Sequence, residues 1–234
     1  MRVDSIHLTN YRCHEDLQVA FAPGFNVLVG VNGSGKTSLL KGLCDSLMGL
    51  VVGMSHHHTS PLSEPGSARL SAVASHGRYR FETHYPIKVS AGGEAFGVGC
   101  VWTYSKSSQV NDAQLSGQVP GHIWRNIQSG PSSSEAGQAA STSLPLVAFY
   151  RANRNWNQPQ PHELQAATEK SMRIDGYRSW WDASVDSVAL QGWAIAKCLE
   201  RFQTSSEIGV PFESIVDDEL ALVNRALELA VEGV

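Results

Sequence analysis

One stretch constrains this chain more than any other: FNVLVGVNGSGKTSLLKGLCDSL, residues 25–47. The apolar run FNVLV reads as a short, largely buried strand that ends at Gly30. A glycine-rich loop follows, and Leu39, Leu40, Leu43, Leu47 and Leu50 then recur at helical spacing, with Gly49 and Gly53 as stops. The loop itself, Gly30-Val31-Asn32-Gly33-Ser34-Gly35-Lys36-Thr37, satisfies G-x-x-x-x-G-K-[ST] in full and lies between the strand and helix that this pattern requires.

That spacing has a physical purpose. Phosphate oxygens need several donors converging at once, and Gly30, Gly33 and Gly35 let the backbone curl until consecutive N–H groups form a concave nest around Asn32 and Ser34. The helix after the loop adds free N–H groups and the positive end of its dipole, with Ser38 in its first turn. Lys36 supplies a mobile charge for the β- and γ-phosphates and is the candidate catalytic residue. Thr37 offers a hydroxyl to Mg²⁺. The motif therefore points to ATP and magnesium as ligands.

The remaining sequence sets the surroundings. A chain of 234 residues with 42% hydrophobic content can bury a core, as one large domain or two small ones. It contains no run of 18 or more apolar residues, and MRVDSIHLTNYR alternates where a signal peptide would be continuously apolar. Cys13, Cys44, Cys100 and Cys198 show no metal-ligand spacing, so they read as reduced thiols. A cytoplasmic location with no membrane partner is expected. The formal net charge of −4 leaves no global footprint for nucleic acid, although a local basic patch is compatible with it.

Along the chain, residues 1–60 form the expected P-loop core, with strands before the loop. Val3, Ile6 and Leu8 lead into the polar break NYRCHED, and Leu17, Val19 and Phe21 share one face of a second strand. Residues 61–143 read as an antiparallel β-subdomain followed by a Ser/Gly-rich insertion, SGPSSSEAGQAASTS. Residues 144–234 start with a buried strand in LPLVAFYRANR and continue as helices near 186–203 and 217–232. The fold class is thus α/β, with the β-subdomain and a helical region inserted.

Several segments resemble a known superfamily. IHLTNYRCHEDLQVAFAPGFNVLVGVNGSGKTSLLKGL is similar to the opening of RecF/SMC/Rad50-like ABC-type ATPases, through Asn10-Tyr11-Arg12 and Asn32-Gly33-Ser34-Gly35-Lys36-Thr37. LPLVAFYRANRNW and RIDGYRSWWDAS resemble segments of a narrower bacterial family. It comprises predicted ATP-binding proteins linked to virulence and the ATPases of Septu-type and retron-associated anti-phage systems. The resemblance implies that Arg12 contacts nucleotide, with a surface salt bridge as the alternative. Gln158 or Gln160 would help hold Mg²⁺. Asn153 and Arg154 would end a core strand at the ligand edge, as nucleotide contacts or through helix packing or a structural hydrogen bond.

Hydrolysis in such ATPases also requires a signature loop, an apolar strand ending in Asp-Glu, and a switch histidine. Leu115-Ser116-Gly117-Gln118 lacks the second glycine and precedes VPG, so it reads as a turn. Ile215-Val216-Asp217-Asp218-Glu219 has only two apolar residues before its acids and reads as the start of a helix. His56-His57-His58 reads as a polar loop without a metal partner. The chain is therefore expected to be the N-terminal portion of an ABC-type head, an ATPase when complete, that pairs with a second head across ATP. The resemblance implies a sensing or regulatory role in anti-phage defence with an HNH-type nuclease partner. The alternatives are a RecF/Rad50-like head acting on DNA and a nucleotide-binding module without turnover.

Overall fold

The computed structural model describes residues 1–51, 62, 64–75, 77–95, 97–117, 147–150, 180, 187–215 and 218–230. These fall into two compact units, Met1–Phe149 and Tyr150–Val234.

Among the described residues of the first unit the strands are β1 (Arg2–Tyr11), β2 (His14–Ala20), β3 (Leu70–Ser75), β4 (Arg78–Thr83), β5 (Ile87–Ala95), β6 (Val98–Lys106) and β7 (Gln114–Gly117), and the helix is α1 (Lys36–Val51). Five of the strands form one antiparallel sheet in the order β2-β1-β5-β6-β7. Its register explains its burial. Ile6 pairs with Ala91, and Ala91 with Trp102. Leu8 pairs with Val89, and Val89 with Tyr104. These side chains share one face and all are buried. The intervening His7, Thr9, Ser90, Thr103 and Ser105 make the opposite face polar.

Helix α1 covers the apolar face. Leu39, Cys44 and Met48 are buried, and Trp102 donates its indole N–H to the Ser46 carbonyl at 2.9 Å from within the core. A Cβ on Gly42 would stand 2.7 Å from Leu8 Cδ2, which shows how closely the helix lies on β1. Burying Leu8 completely is worth about 1.5–3 kcal/mol.

Four features differ from the sequence reading. The β-rich region does not stand apart from residues 1–60, because β5, β6 and β7 extend β1 in the same sheet, and among the described strands only β3–β4 forms a separate hairpin. Period-two alternation tells which face of a strand is apolar but not which strand it pairs with. Ile87, Val89 and Ala91 find their apolar layer beside Ile6 and Leu8. Leu115 to Gly117 lie in strand β7, paired with β6, where a turn was expected; Gln118 lies outside the described residues. Residues 25–29 form no strand, and Phe25 and Val29 are 92% and 90% exposed. A strand requires a hydrogen-bonded neighbour, and among the described residues none runs beside this segment. Residues 147–150 are likewise outside any strand; the rest of LPLVAFYRANR lies outside the described residues.

The second unit contains α2 (Ser187–Ile208), a 3-10 turn at Phe212–Ser214 and α3 (Asp218–Ala230). Gly209, with φ +67°, ends α2, and the Val210 N–H returns to the Ser205 carbonyl at 3.2 Å. Phe212 folds back toward Ile195, Leu199 and Phe202 along an apolar groove of α2, beneath the Arg201 guanidinium 4.3 Å from its ring centroid. Lys197 joins α2 to α3 through Glu219 at 3.0 Å and also meets Glu200 at 3.3 Å. The acids read as a helix start are used so: Asp218 opens α3 and Glu219 makes an ion pair in its first turn. Asp217 lies outside the described residues.

Candidate phosphate-binding site

The loop of residues 30–37 joins the exposed segment to the N-terminus of α1. The Ser34 N–H donates to the Val31 carbonyl at 3.2 Å, which closes a tight turn. Gly33 at φ +85° and Gly35 at φ +90° occupy the left-handed region that favours glycine. Helix α1 then begins at Lys36, with the Leu39 N–H donating to the Gly35 carbonyl at 2.9 Å as its first bond.

Lys36 folds back over this loop. Its ammonium donates to the carbonyls of Gly30 and Val31, both at 2.8 Å, and to Ser34 Oγ at 3.5 Å. These acceptors are neutral. A phosphate oxygen carries charge and would make a stronger bond to the same ammonium. Asn32 and Thr37 are exposed and Ser38 is half-buried, so the site opens to solvent. The structure thus brings Lys36 onto Gly30, Val31 and Ser34 across one tight turn, while Asn32, Thr37 and Ser38 flank it.

The tip of the β1–β2 hairpin lies against this loop. His14 Nε2 is 3.3 Å from the Gly35 carbonyl oxygen. Next to it, Arg12 adopts φ +53°, and its backbone N–H donates to the Ser67 carbonyl at 2.9 Å. Its guanidinium pairs with Glu64 at 3.1 Å, while its Nε is buried without a hydrogen-bond partner. Glu64 also binds Lys41 of α1 at 2.7 Å, so one carboxylate ties the hairpin turn to the helix.

Beneath these charges, the Tyr11 hydroxyl donates to Asp45 Oδ2 at 2.7 Å in the core. Burial holds the Tyr11 phenol well above its usual range, which keeps it a donor. Burial also pushes the Asp45 carboxyl up from 3.8 to about 6, against the lowering effects of the Tyr11 hydrogen bond and of Lys41. His14, Lys41, Asp45 and Glu64 were missed in the sequence. Only His14 carried a local signal, two residues beyond the turn arginine. The others are gathered by packing across long separations.

Gln158, Gln160, Asn153, Arg154 and His56-His57-His58 lie outside the described residues. Among the described residues no group of three or more His, Cys, Asp or Glu side chains could hold a metal ion. No disulfide joins the four cysteines.

Residues 5–191 match the family described as AAA domain. The chain is 46% identical over 41 residues to structural maintenance of chromosomes protein 6 of Schizosaccharomyces pombe, covering 18% of this chain and 4% of that protein. It is 47% identical over 47 residues to the DNA double-strand break repair Rad50 ATPase of Saccharolobus solfataricus, covering 20% and 5%. It is 49% identical over 43 residues to the DNA replication and repair protein RecF of Limosilactobacillus fermentum, covering 18% and 12%. The matches thus span a small part of each relative's length.

Proposed function

The chain belongs to the AAA domain family, and on that premise we propose that it is the ATP-binding lobe of an ABC-type ATPase head. One observation carries the proposal. Lys36, at the N-terminus of α1, closes over the glycine turn of residues 30–34 with its ammonium on that turn's own acceptors. An ammonium and a helix N-terminus facing one concave backbone turn make an anion site that suits a nucleotide's phosphates.

The donor set also suits magnesium. Thr37 offers a single exposed hydroxyl in the first turn of α1, and Mg²⁺ commonly keeps several waters while taking few protein ligands. When bound, the ion neutralises charge on the β- and γ-phosphate oxygens. Gly33, Gly35 and Lys36 would offer backbone N–H groups to the phosphates, while the Ser34 N–H stays on the Val31 carbonyl that closes the turn, and the Lys36 ammonium would move from its carbonyl acceptors to the ligand. Gln158 is the proposed second magnesium contact.

Completion of the head is part of the same proposal. Val27 and Val29 are 67% and 90% exposed, a surface that a neighbouring strand would bury and hydrogen-bond. In the assembled protein two heads sandwich ATP, so that nucleotide binding drives dimerisation and hydrolysis separates them. We assign this assembly to a cytoplasmic anti-phage defence complex with an HNH-type nuclease, on the segments LPLVAFYRANRNW and RIDGYRSWWDAS. Among the described residues no helix is long and apolar enough to cross a membrane. The similarity to RecF favours a second reading, a DNA-repair head, which predicts salt-sensitive DNA affinity in the ATP-bound dimer.

Titration of the chain with Mg²⁺-ATP, comparing wild type with Lys36→Ala, tests the site. The variant should lose at least tenfold in affinity, the scale of one charge-assisted bond. Equal affinity of the two proteins would remove the assignment.

A further inference from the structure

The hairpin of β1 and β2 meets the phosphate loop at Gly35. His14 Nε2 lies 3.3 Å from the Gly35 oxygen. A Cβ placed on Gly35 would stand 2.5 Å from His14 Cε1, 2.7 Å from His14 Nε2 and 2.8 Å from Cys13 Sγ. The imidazole therefore occupies the space that any side chain at position 35 would need. This packing adds a second demand for glycine to the one made by its φ of +90°.

The Gly35 carbonyl accepts from the imidazole and, at 2.9 Å, from the Leu39 N–H. Two donors from different elements set its direction. The peptide that follows is planar and trans, so the Lys36 N–H points opposite to that carbonyl. Holding the oxygen toward the hairpin and helix therefore aims the Lys36 N–H the other way, among the donors of the loop.

From this we infer that His14 is a positioning residue for the phosphate site, acting through the Gly35 carbonyl to pre-set the loop before ligand arrives. The inference rests on the nucleotide-binding reading above. His14 does its work as an Nε2–H donor and touches no phosphate itself. The hairpin does not depend on it for its place. Tyr11 is anchored to Asp45 at 2.7 Å, and the Arg12 N–H to the Ser67 carbonyl at 2.9 Å, so loss of the imidazole leaves β1 and β2 docked.

The experiment is calorimetric titration of the full chain with Mg²⁺-ATP for wild type, Lys36→Ala, His14→Ala, His14→Gln and His14→Asn, with thermal unfolding of each. Glutamine places an amide N–H as many bonds from Cα as His14 Nε2, whereas asparagine falls one bond short. His14→Ala and His14→Asn should each bind about fivefold more weakly, the loss of one neutral hydrogen bond. His14→Gln should bind within about twofold of wild type, and melting should not follow the affinity order. Wild-type affinity in His14→Ala, or His14→Gln as weak as His14→Asn, would overturn the inference while leaving the site intact. Affinity losses that merely track melting would overturn it too. If His14→Ala does not fold, the Gln and Asn pair decides. If wild type and Lys36→Ala both fail to bind Mg²⁺-ATP, the nucleotide reading falls and this inference with it.

Discussion

Asp45→Asn should make the protein's stability less sensitive to pH, and the structure sets the size and sign of the effect. Asp45 is 7% exposed beneath α1, with the Tyr11 hydroxyl as its hydrogen-bond donor. Burial raises its carboxyl from 3.8 to about 6. The folded protein therefore holds a proton there that the unfolded chain releases between those values. Linkage then requires stability to fall as pH rises through that window, with the full benefit of the neutral acid present only below about 3.8. The interval between the two values corresponds to about 3 kcal/mol. Asparagine keeps the shape and a carbonyl acceptor for Tyr11 but never ionises. Urea unfolding of both proteins from pH 4 to 7.5 isolates this group, because all other titrations are common to the two. Near pH 4 the variant should lie within about 1 kcal/mol of wild type, the scale of one altered hydrogen bond. By pH 7 it should have gained about 2.4 kcal/mol relative to that starting difference, because part of the ~3 kcal/mol is already lost at pH 4. A difference that stays flat, or a variant that loses ground as pH rises, would show that Tyr11 and Lys41 stabilise the Asp45 anion at least as much as burial penalises it.

Two further variants probe how the sheet and helix are held. Trp102→Phe removes the indole N–H that reaches the Ser46 carbonyl at 2.9 Å and leaves space under α1. It should cost about 2–3 kcal/mol in urea unfolding, with reduced hydrogen-exchange protection in α1. Gly93→Ala would place a Cβ 2.1 Å from the Arg2 carbonyl oxygen, beside the irregularity between Val3 and Ser5. Backbone cannot yield as a side-chain tip can, so a loss of about 2 kcal/mol or more is expected by the same assay, concentrated in the pairing of β1 with β5.

Much of the first unit could be read locally. Ile6 and Leu8 alternate with His7 and Thr9, and that period alone identifies the buried face of β1. The helix after the loop follows from leucines at helical spacing, and α2 and α3 lie within a few residues of their expected limits. Pairing was not legible in the same way. Alternation in IKVSA marks an apolar face, yet placing Val89 between Leu8 and Tyr104 depends on partners far away in the chain. The segment FNVLV shows the converse. Its composition is that of a buried strand, but composition supplies no neighbour, and the segment is exposed.

For the candidate site the division falls between the loop and its surroundings. Glycine, lysine and threonine at these spacings determine that residues 30–37 curl and that an ammonium faces the curl. The requirement is local, since φ values of +85° and +90° and the first turn of a helix depend on adjacent residues alone. Tertiary structure decided what leans on that loop. It brought His14 onto the Gly35 carbonyl, set Glu64 between Arg12 and Lys41, and buried Asp45 against Tyr11. Those contacts join residues 21, 52, 23 and 34 positions apart. Closing such separations is driven by burying the apolar face of the β1–β5–β6 layer under α1, a property of the assembled sheet that no short window of sequence contains.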